Sequence, residues 1–104
     1  MGRFAEALED ARRLVKGDTR GIRVDTLKIR RIPDFTPEEI KALRHAVNMP
    51  QRLFALCLGV TQKSVEAWEG GRSHPDGAAR RLLGLLQNNP DFFQKTEIII
   101  YNKE

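Results

Sequence analysis

The chain has 104 residues and a mass of 11.9 kDa, which is enough for one small domain with an appended arm. It is 40% apolar and 31% charged, as soluble globular chains are. Its single cysteine excludes an internal disulfide. The lack of a long apolar run or a secretory signal predicts a cytoplasmic protein without a membrane segment. Eighteen Lys and Arg against fourteen Asp and Glu give a net charge of +4, which favours a polyanionic partner such as nucleic acid.

The first predicted segment, residues 1–34, is an arm with a net charge of +3. Its beginning predicts an amphipathic helix of about three turns, a length that needs a packing partner in water. Residues 22–29 alternate between apolar and charged types, with a change of phase after Val24, and predict a strand that has no neighbour to pair with. The apolar positions of the arm are Phe4, Leu8, Ala11 and Val15 in the predicted helix and Ile22, Val24, Leu27 and Ile29 in the predicted strand.

The second predicted segment, residues 35–95, is a compact helical domain. Thr36 and Glu39 form a capping box for its first helix. A second helix covers Gln51–Leu58, a third covers Gln62–Glu69 after a Thr61 cap, and a fourth runs from Asp76 to about residue 87, with one more turn after Pro90. We expect Trp68 in the core. The side chains expected to point inward also include Leu53, Phe54, Leu56 and Cys57 in the second helix and Leu82, Leu83, Leu85 and Leu86 in the fourth.

The third predicted segment, residues 96–104, contains the β-branched run Ile98, Ile99 and Ile100. Such a run has high strand propensity. The pattern allows either an edge strand inside the domain or a strand that contacts a second copy of the chain, and we favour the contact in a homodimer.

The second and third helices, each about eight residues long and joined by a short turn at Gly59, have helix-turn-helix spacing. In this motif the first turn of the later helix enters the major groove of DNA. Gln62 and Lys63 stand at that turn, and both side chains are suited to base edges. Thr61 and Ser64 can reach phosphate oxygens. The residues therefore predict a DNA-binding surface.

Residues 36–90 resemble the helix-turn-helix domain of the Xre family, which includes Cro and the phage repressors. Residues 59–69 match the turn and recognition helix of that family, whereas Pro50 departs from the Ser or Thr that usually caps the second helix. Residues 68–83, with Asn89 and Pro90, resemble more narrowly the HigA-type antitoxins, which repress their own operon and neutralise a RelE-like ribonuclease toxin. The implied fold is mainly α, a phage-repressor-like bundle of four to five helices with an N-terminal helix and strand arm and a C-terminal strand.

The resemblance also implies roles for particular residues. Gln51 and Arg72 would contact phosphates, the outer face of the third helix would contact bases, and Arg44 would form a buried salt bridge with Glu69. The DNA contacts expected from the residues and the resemblance together are Gln51, Thr61, Gln62, Lys63, Ser64, Glu66, Ala67 and Arg72.

These observations favour a DNA-binding antitoxin that acts as a homodimer and binds a RelE-like toxin with its arm. The antitoxin itself is expected to have no enzymatic activity and to bind no cofactor or metal. One alternative is a stand-alone helix-turn-helix repressor whose arm packs within its own dimer. Another is a small nuclease that uses His45 or His74, although no His, Asp or Glu cluster has the spacing of a metal or acid–base site.

Overall fold

The computed structural model describes the backbone of residues 22–24 and residues 26–102, and the chain divides into two units between Ile32 and Pro33. The predicted arm helix, with Phe4, Leu8, Ala11 and Val15, lies outside the described residues. In the first unit, β1 (Ile22–Val24) and β2 (Leu27–Ile29) form an antiparallel hairpin. The prediction of a single strand without a neighbour is therefore wrong, because the run folds back and pairs with itself.

The register of this hairpin explains the change of phase in the sequence. Ile22 pairs with Ile29, Val24 pairs with Leu27, and Arg23 pairs with Lys28. Directly paired residues share one face of a ladder, and so do alternate residues of one strand. The four apolar positions therefore belong to one face and the Arg23–Lys28 pair belongs to the other. Two residues separate β1 from β2 in the sequence, and this spacing accounts for the shift in the alternation.

The second unit contains five helices within its described residues, which confirms the predicted helix-turn-helix bundle. They are α1 (Pro37–Ala46), α2 (Gln51–Leu58), α3 (Gln62–Glu69), α4 (Gly77–Asn88) and α5 (Phe92–Lys95). The Thr36 hydroxyl accepts a hydrogen bond from the Glu39 amide at 3.1 Å, and the Glu39 carboxylate accepts one from the Thr36 amide at 2.8 Å. Asp76 caps α4. No helix among the described residues is long and apolar enough to cross a membrane.

The core of this unit lies where all five helices meet. Trp68 is 5% exposed, as expected, but Leu53, Leu56 and Leu85 are 40%, 64% and 39% exposed, so the prediction that they point inward is wrong. Consecutive helical residues are about 100° apart and cannot all face one core. The buried apolar side chains are Phe35, Ile40, Met49, Phe54, Ala55, Leu58, Val65, Trp68, Ala79, Leu83, Leu86 and Phe93.

The predicted C-terminal strand is absent from the described residues 96–102, which form a turn and bends. Glu97 takes a left-handed conformation with a φ of 61°, and the amide of Ile99 donates to the Phe93 carbonyl at 3.0 Å. Ile99 alone of the three isoleucines packs against the core. Strand propensity stabilises a strand only where a ladder partner exists, and here the chain folds back on α5 instead.

Candidate nucleic-acid interface

The turn between α2 and α3 sets how the predicted recognition helix leaves the core. Gly59 has a φ of 77°, a conformation that favours glycine. The amide of Val60 donates to the Ala55 carbonyl at 3.0 Å, and that of Gly59 donates to the Leu56 carbonyl at 3.3 Å. These two bonds make the Schellman ending that reverses the chain after α2. Val60 then packs on the core, so α3 begins at a fixed place.

The first turn of α3 is capped and faces outward. The Thr61 hydroxyl accepts a hydrogen bond from the Ser64 amide at 3.1 Å, and the two hydroxyl oxygens lie 3.0 Å apart. Gln62 and Lys63 are exposed, whereas Val65 and Trp68 on the opposite side are buried. The core therefore holds α3 by one face and leaves the predicted base-contacting residues open to a partner.

A second pair of polar side chains lies one turn apart on the outer face of α3. The Gln62 amide nitrogen donates to the Glu66 carboxylate at 3.3 Å. A carboxylate can only accept, so the Gln62 amide turns its nitrogen towards Glu66 and its oxygen away. Glu66 and Ala67 are both half-buried. The predicted residues of α3 are thus brought together on one surface.

Glu69, at the end of α3, is held by three hydrogen bonds. Its two carboxylate oxygens accept from Nε and Nη2 of Arg44 at 2.7 and 3.0 Å, and one also accepts from the Gln51 amide at 3.1 Å. Nη1 of Arg44 donates to the Met49 carbonyl at 2.9 Å. The side chains of Arg44 and Glu69 are only 11% and 6% exposed. The buried salt bridge implied by the resemblance is confirmed, and it ties α1, α2 and α3 together.

The electrostatics of this pair follow from its burial and its hydrogen bonds. Burial by itself would raise the pKa of Glu69, but hydrogen bonds from Arg44 and Gln51 and the charges of Arg44 and Lys41 outweigh it, and the pKa lies below its ordinary value. The hydrogen bond to Glu69 raises the pKa of Arg44 against the opposing effect of burial. Both groups are therefore charged at neutral pH.

The contact between Gln51 and Glu69 is one that sequence reasoning missed. Gln51 is half-buried at the start of α2, and its N-cap residue Pro50 provides no side-chain cap. The departure noted at Pro50 thus leaves the first turn of α2 without a side-chain cap.

Arg52, the residue after Gln51, is exposed and is not among the predicted contacts. Arg52 is a cation next to Gln51, a predicted phosphate contact, and this position is the sequence signal that could have identified Arg52 as a further candidate.

The loop after α3 fixes the position of Arg72. Its amide donates to the Ala67 carbonyl at 2.9 Å, and the amide of Gly71 donates to the Trp68 carbonyl at 3.2 Å. Gly71, with a φ of 75°, is the left-handed residue of this second Schellman ending. A Cβ atom at Gly70 would lie 2.7 Å from Nη1 of Arg72, which shows that the guanidinium folds over Gly70. The exposed Arg72 therefore stays close to the end of α3.

The two histidines considered for catalysis stand outside any metal-binding cluster of the described residues. His45 and His74 are both exposed, and no group of three or more metal-binding side chains occurs among the described residues. Cys57 is half-buried against the core, and burial raises the pKa of its thiol. A raised pKa makes a thiol less nucleophilic at neutral pH.

This fold and the geometry of α2 and α3 define a helix-turn-helix bundle. The chain is 38% identical over 71 residues to the antitoxin HigA-2 of Vibrio cholerae serotype O1, in an alignment that covers 64% of this chain and 68% of that protein. The chain therefore belongs to the HigA family of antitoxins. A comparison with models of known protein families gives no match.

Proposed function

We propose that the chain is an antitoxin of a toxin–antitoxin pair, a member of the Xre family that binds operator DNA, represses its own operon and neutralises a RelE-like ribonuclease toxin. The observation that carries the DNA-binding part is the first turn of α3. Thr61 caps it, the core residues Val65 and Trp68 hold its inner side, and Gln62 and Lys63 remain exposed. A helix presented in this way can enter the major groove.

The proposed DNA contacts divide into two kinds. Donors around the helix ends, which position the protein on phosphates, are Gln51, Thr61, Ser64 and Arg72. The outer face of α3 reads bases through Gln62, Lys63, Glu66 and Ala67. The buried pair of Arg44 and Glu69 supports both groups, because Glu69 ends α3 and accepts a hydrogen bond from Gln51.

The proposed toxin contact lies in the arm. The similarity to an antitoxin supports it, together with the apolar positions of the arm. The hairpin places Ile22, Val24, Leu27 and Ile29 on one face, and Leu27 and Ile29 are half-buried. A partner can pair with a hairpin edge and cover that face. The remaining proposed toxin contacts are Phe4, Leu8, Ala11 and Val15, which lie outside the described residues.

The test of DNA binding is substitution in the first turn of α3. Gln62→Ala and Lys63→Ala each remove a donor without touching the core, so we expect each to weaken binding to the promoter region of the chain's own operon by about 1–3 kcal/mol, or roughly 5- to 150-fold. Affinity should be measured at one fixed salt concentration. Gln87→Ala and Lys95→Ala remove the same side chains from exposed positions on α4 and α5 and should leave affinity unchanged. Full affinity in both α3 variants would contradict the proposal.

A homodimer is part of the proposed function, because two linked domains double the few contacts that one small domain makes. Ile98, Ile100 and Tyr101 are 44%, 80% and 69% exposed and are the proposed contact. We expect a dimer in sedimentation experiments, a monomer for the double variant Ile100→Asp/Tyr101→Asp, and half-sites about 34 Å apart on DNA. Leu56→Asp, at an exposed position of α2, should remain dimeric. A parent chain that is monomeric both alone and on DNA would refute the dimer.

A further inference from the structure

We propose that the hairpin segment, residues 22–32, binds the phosphate backbone of duplex DNA. This inference rests on the DNA-binding function proposed above and extends it to a surface outside the helical unit. The observations that carry it are the distribution of charge between the two units and the register of the hairpin.

The helical unit, residues 33–104, has no net charge, because it contains nine Lys and Arg and nine Asp and Glu. Residues 1–21 contain five basic and four acidic residues, a net charge of +1. Residues 22–32 contain four basic residues, Arg23, Lys28, Arg30 and Arg31, and one acidic residue, a net charge of +3. Three of the four net positive charges of the chain thus lie in eleven residues.

This distribution matters because neutralisation of phosphates supplies essentially all of the sequence-independent affinity of proteins for DNA. A unit without net charge gains little of that affinity from its overall field. Some of its cations are also engaged with carboxylates: Arg44 pairs with Glu69, Arg80 with Asp34 and Lys95 with Asp91. Most of the attraction that net charge gives the chain towards a polyanion therefore comes from the hairpin segment.

The register separates the charged positions from the apolar ones. Arg23 and Lys28 form one directly opposed pair, between the two apolar pairs, and so belong to the other face of the ladder. Lys28, Arg30 and Arg31 are exposed and, with Ile29, line a hollow of about 420 Å³.

The two faces of the hairpin suit two different partners. The apolar face suits the proposed protein partner, whereas the cationic face has the charge complementarity that a DNA backbone requires. Because the segment continues directly into the helical unit, binding of α3 to a duplex would raise the effective concentration of phosphates around the hairpin.

The test is the salt dependence of binding to a 20-base-pair duplex of mixed sequence, measured with the full chain. The double variant Lys28→Gln/Arg31→Gln removes two positive charges from the segment. The matched control Lys95→Glu changes the net charge by the same amount on α5, outside the proposed DNA contacts. All three positions are exposed, so the melting temperatures of the variants should stay within a few degrees of that of the parent.

We expect the slope of log K against log salt concentration to become shallower by about 2 in the double variant, since each phosphate contact contributes about 0.9. The control should keep the slope of the parent, and both variants should still neutralise the toxin in cells. These results together would support a direct contact between the segment and DNA.

Two results would overturn the inference while leaving the proposed function intact. One is a double variant with the slope of the parent, and if that variant also fails to neutralise the toxin, these cations belong to the toxin contact. The other is an equal loss of slope in the control, which would indicate net charge rather than contact. A parent chain that binds no duplex even at low salt would instead refute the proposed DNA binding itself.

Discussion

Replacing Glu69 with alanine is expected to lower the free energy of unfolding by about 3–5 kcal/mol, the usual cost of removing one partner from a buried salt bridge. The substitution leaves the guanidinium of Arg44, which is 11% exposed, bonded to the Met49 carbonyl but without its carboxylate partner. Arg44 cannot lose its charge at any physiological pH, so the whole cost of burying that charge falls on the folded state. Gln51 also loses its hydrogen-bond acceptor.

The matched control is Glu66→Ala, the same substitution one turn earlier on the same helix. Glu66 accepts a single hydrogen bond from Gln62, and that contact is exposed. Its loss should change stability by no more than about 0.5 kcal/mol. Thermal unfolding separates the two variants, because 1 kcal/mol shifts the melting temperature of a domain of this size by about 4–8 °C. Equal melting temperatures for Glu69→Ala and Glu66→Ala would show that the buried pair contributes little.

The contribution of this pair also depends on pH. The pKa of Glu69 is lowered in the folded state, so the folded chain binds this proton more weakly than the unfolded chain does. The stabilisation is therefore complete above the ordinary pKa of a glutamate, about 4.3, and is lost as the pH falls through the lower folded value. The difference in the free energy of unfolding between the parent and Glu69→Gln should be constant around neutral pH. It should shrink as the pH falls below about 4.3, the ordinary pKa of a glutamate.

The elements that the sequence predicted well are those set by local chemistry. Thr36, Thr61 and Asp76 cap helices because each side chain reaches an amide three residues ahead. Gly59 ends α2 because few other residues adopt a positive φ. The end of α1 is of the same kind, but Asn48 takes the left-handed position there with a φ of 57°. Asparagine tolerates that conformation, so the break at Asn48 was also visible in the sequence.

The elements that the sequence predicted poorly depend on partners that are distant or ambiguous. The isoleucine run after Thr96 has strand propensity but no ladder partner among the described residues. The sequence predicts a single strand over residues 22–29 because the two residues between Val24 and Leu27 include neither Gly nor Asn, the usual signals of a two-residue connection. Arg44 and Glu69 are 25 residues apart in the sequence, and their pairing was expected only through resemblance to a family. The third member of that network, Gln51, has no local sequence signal at all.

The partition of the molecule into a neutral helical unit and a charged, apolar arm has a consequence for the proposed antitoxin. The helical unit contains its own core, and every apolar residue found buried in the described part of the chain lies between Phe35 and Phe93. Pro33 and Asp34 belong to it as well, because Nη1 of Arg80 donates to the Asp34 carboxylate at 2.8 Å. A truncation after Ile32 keeps every residue of this core and the pair of Arg80 and Asp34, so the remaining chain should fold.

Deletion of residues 1–32 is expected to abolish toxin neutralisation in cells, while the remaining chain still binds the operator with the same sequence preference. The proposed toxin contacts of the arm are all removed, and α3 with its cap and core contacts is kept. Affinity for DNA should fall and become less dependent on salt, because the cationic hairpin is lost as well. Growth of cells that express the toxin measures the first effect, and binding of purified protein to operator and to unrelated duplexes measures the second.

Point substitutions in the full chain separate the apolar face of the arm from its charge. Leu27→Asp/Ile29→Asp places two carboxylates on the half-buried face of the hairpin, where a bound partner would leave them unpaired and desolvated. This variant should fail to neutralise the toxin, whereas Lys28→Gln/Arg31→Gln, on the same segment, should neutralise it normally.

If the truncated chain protects cells as well as the full chain does, the toxin contact is not in the arm. A stand-alone repressor whose arm serves DNA binding or its own dimer would then be the better description, and the absence of any ribonuclease gene beside its own would agree with it.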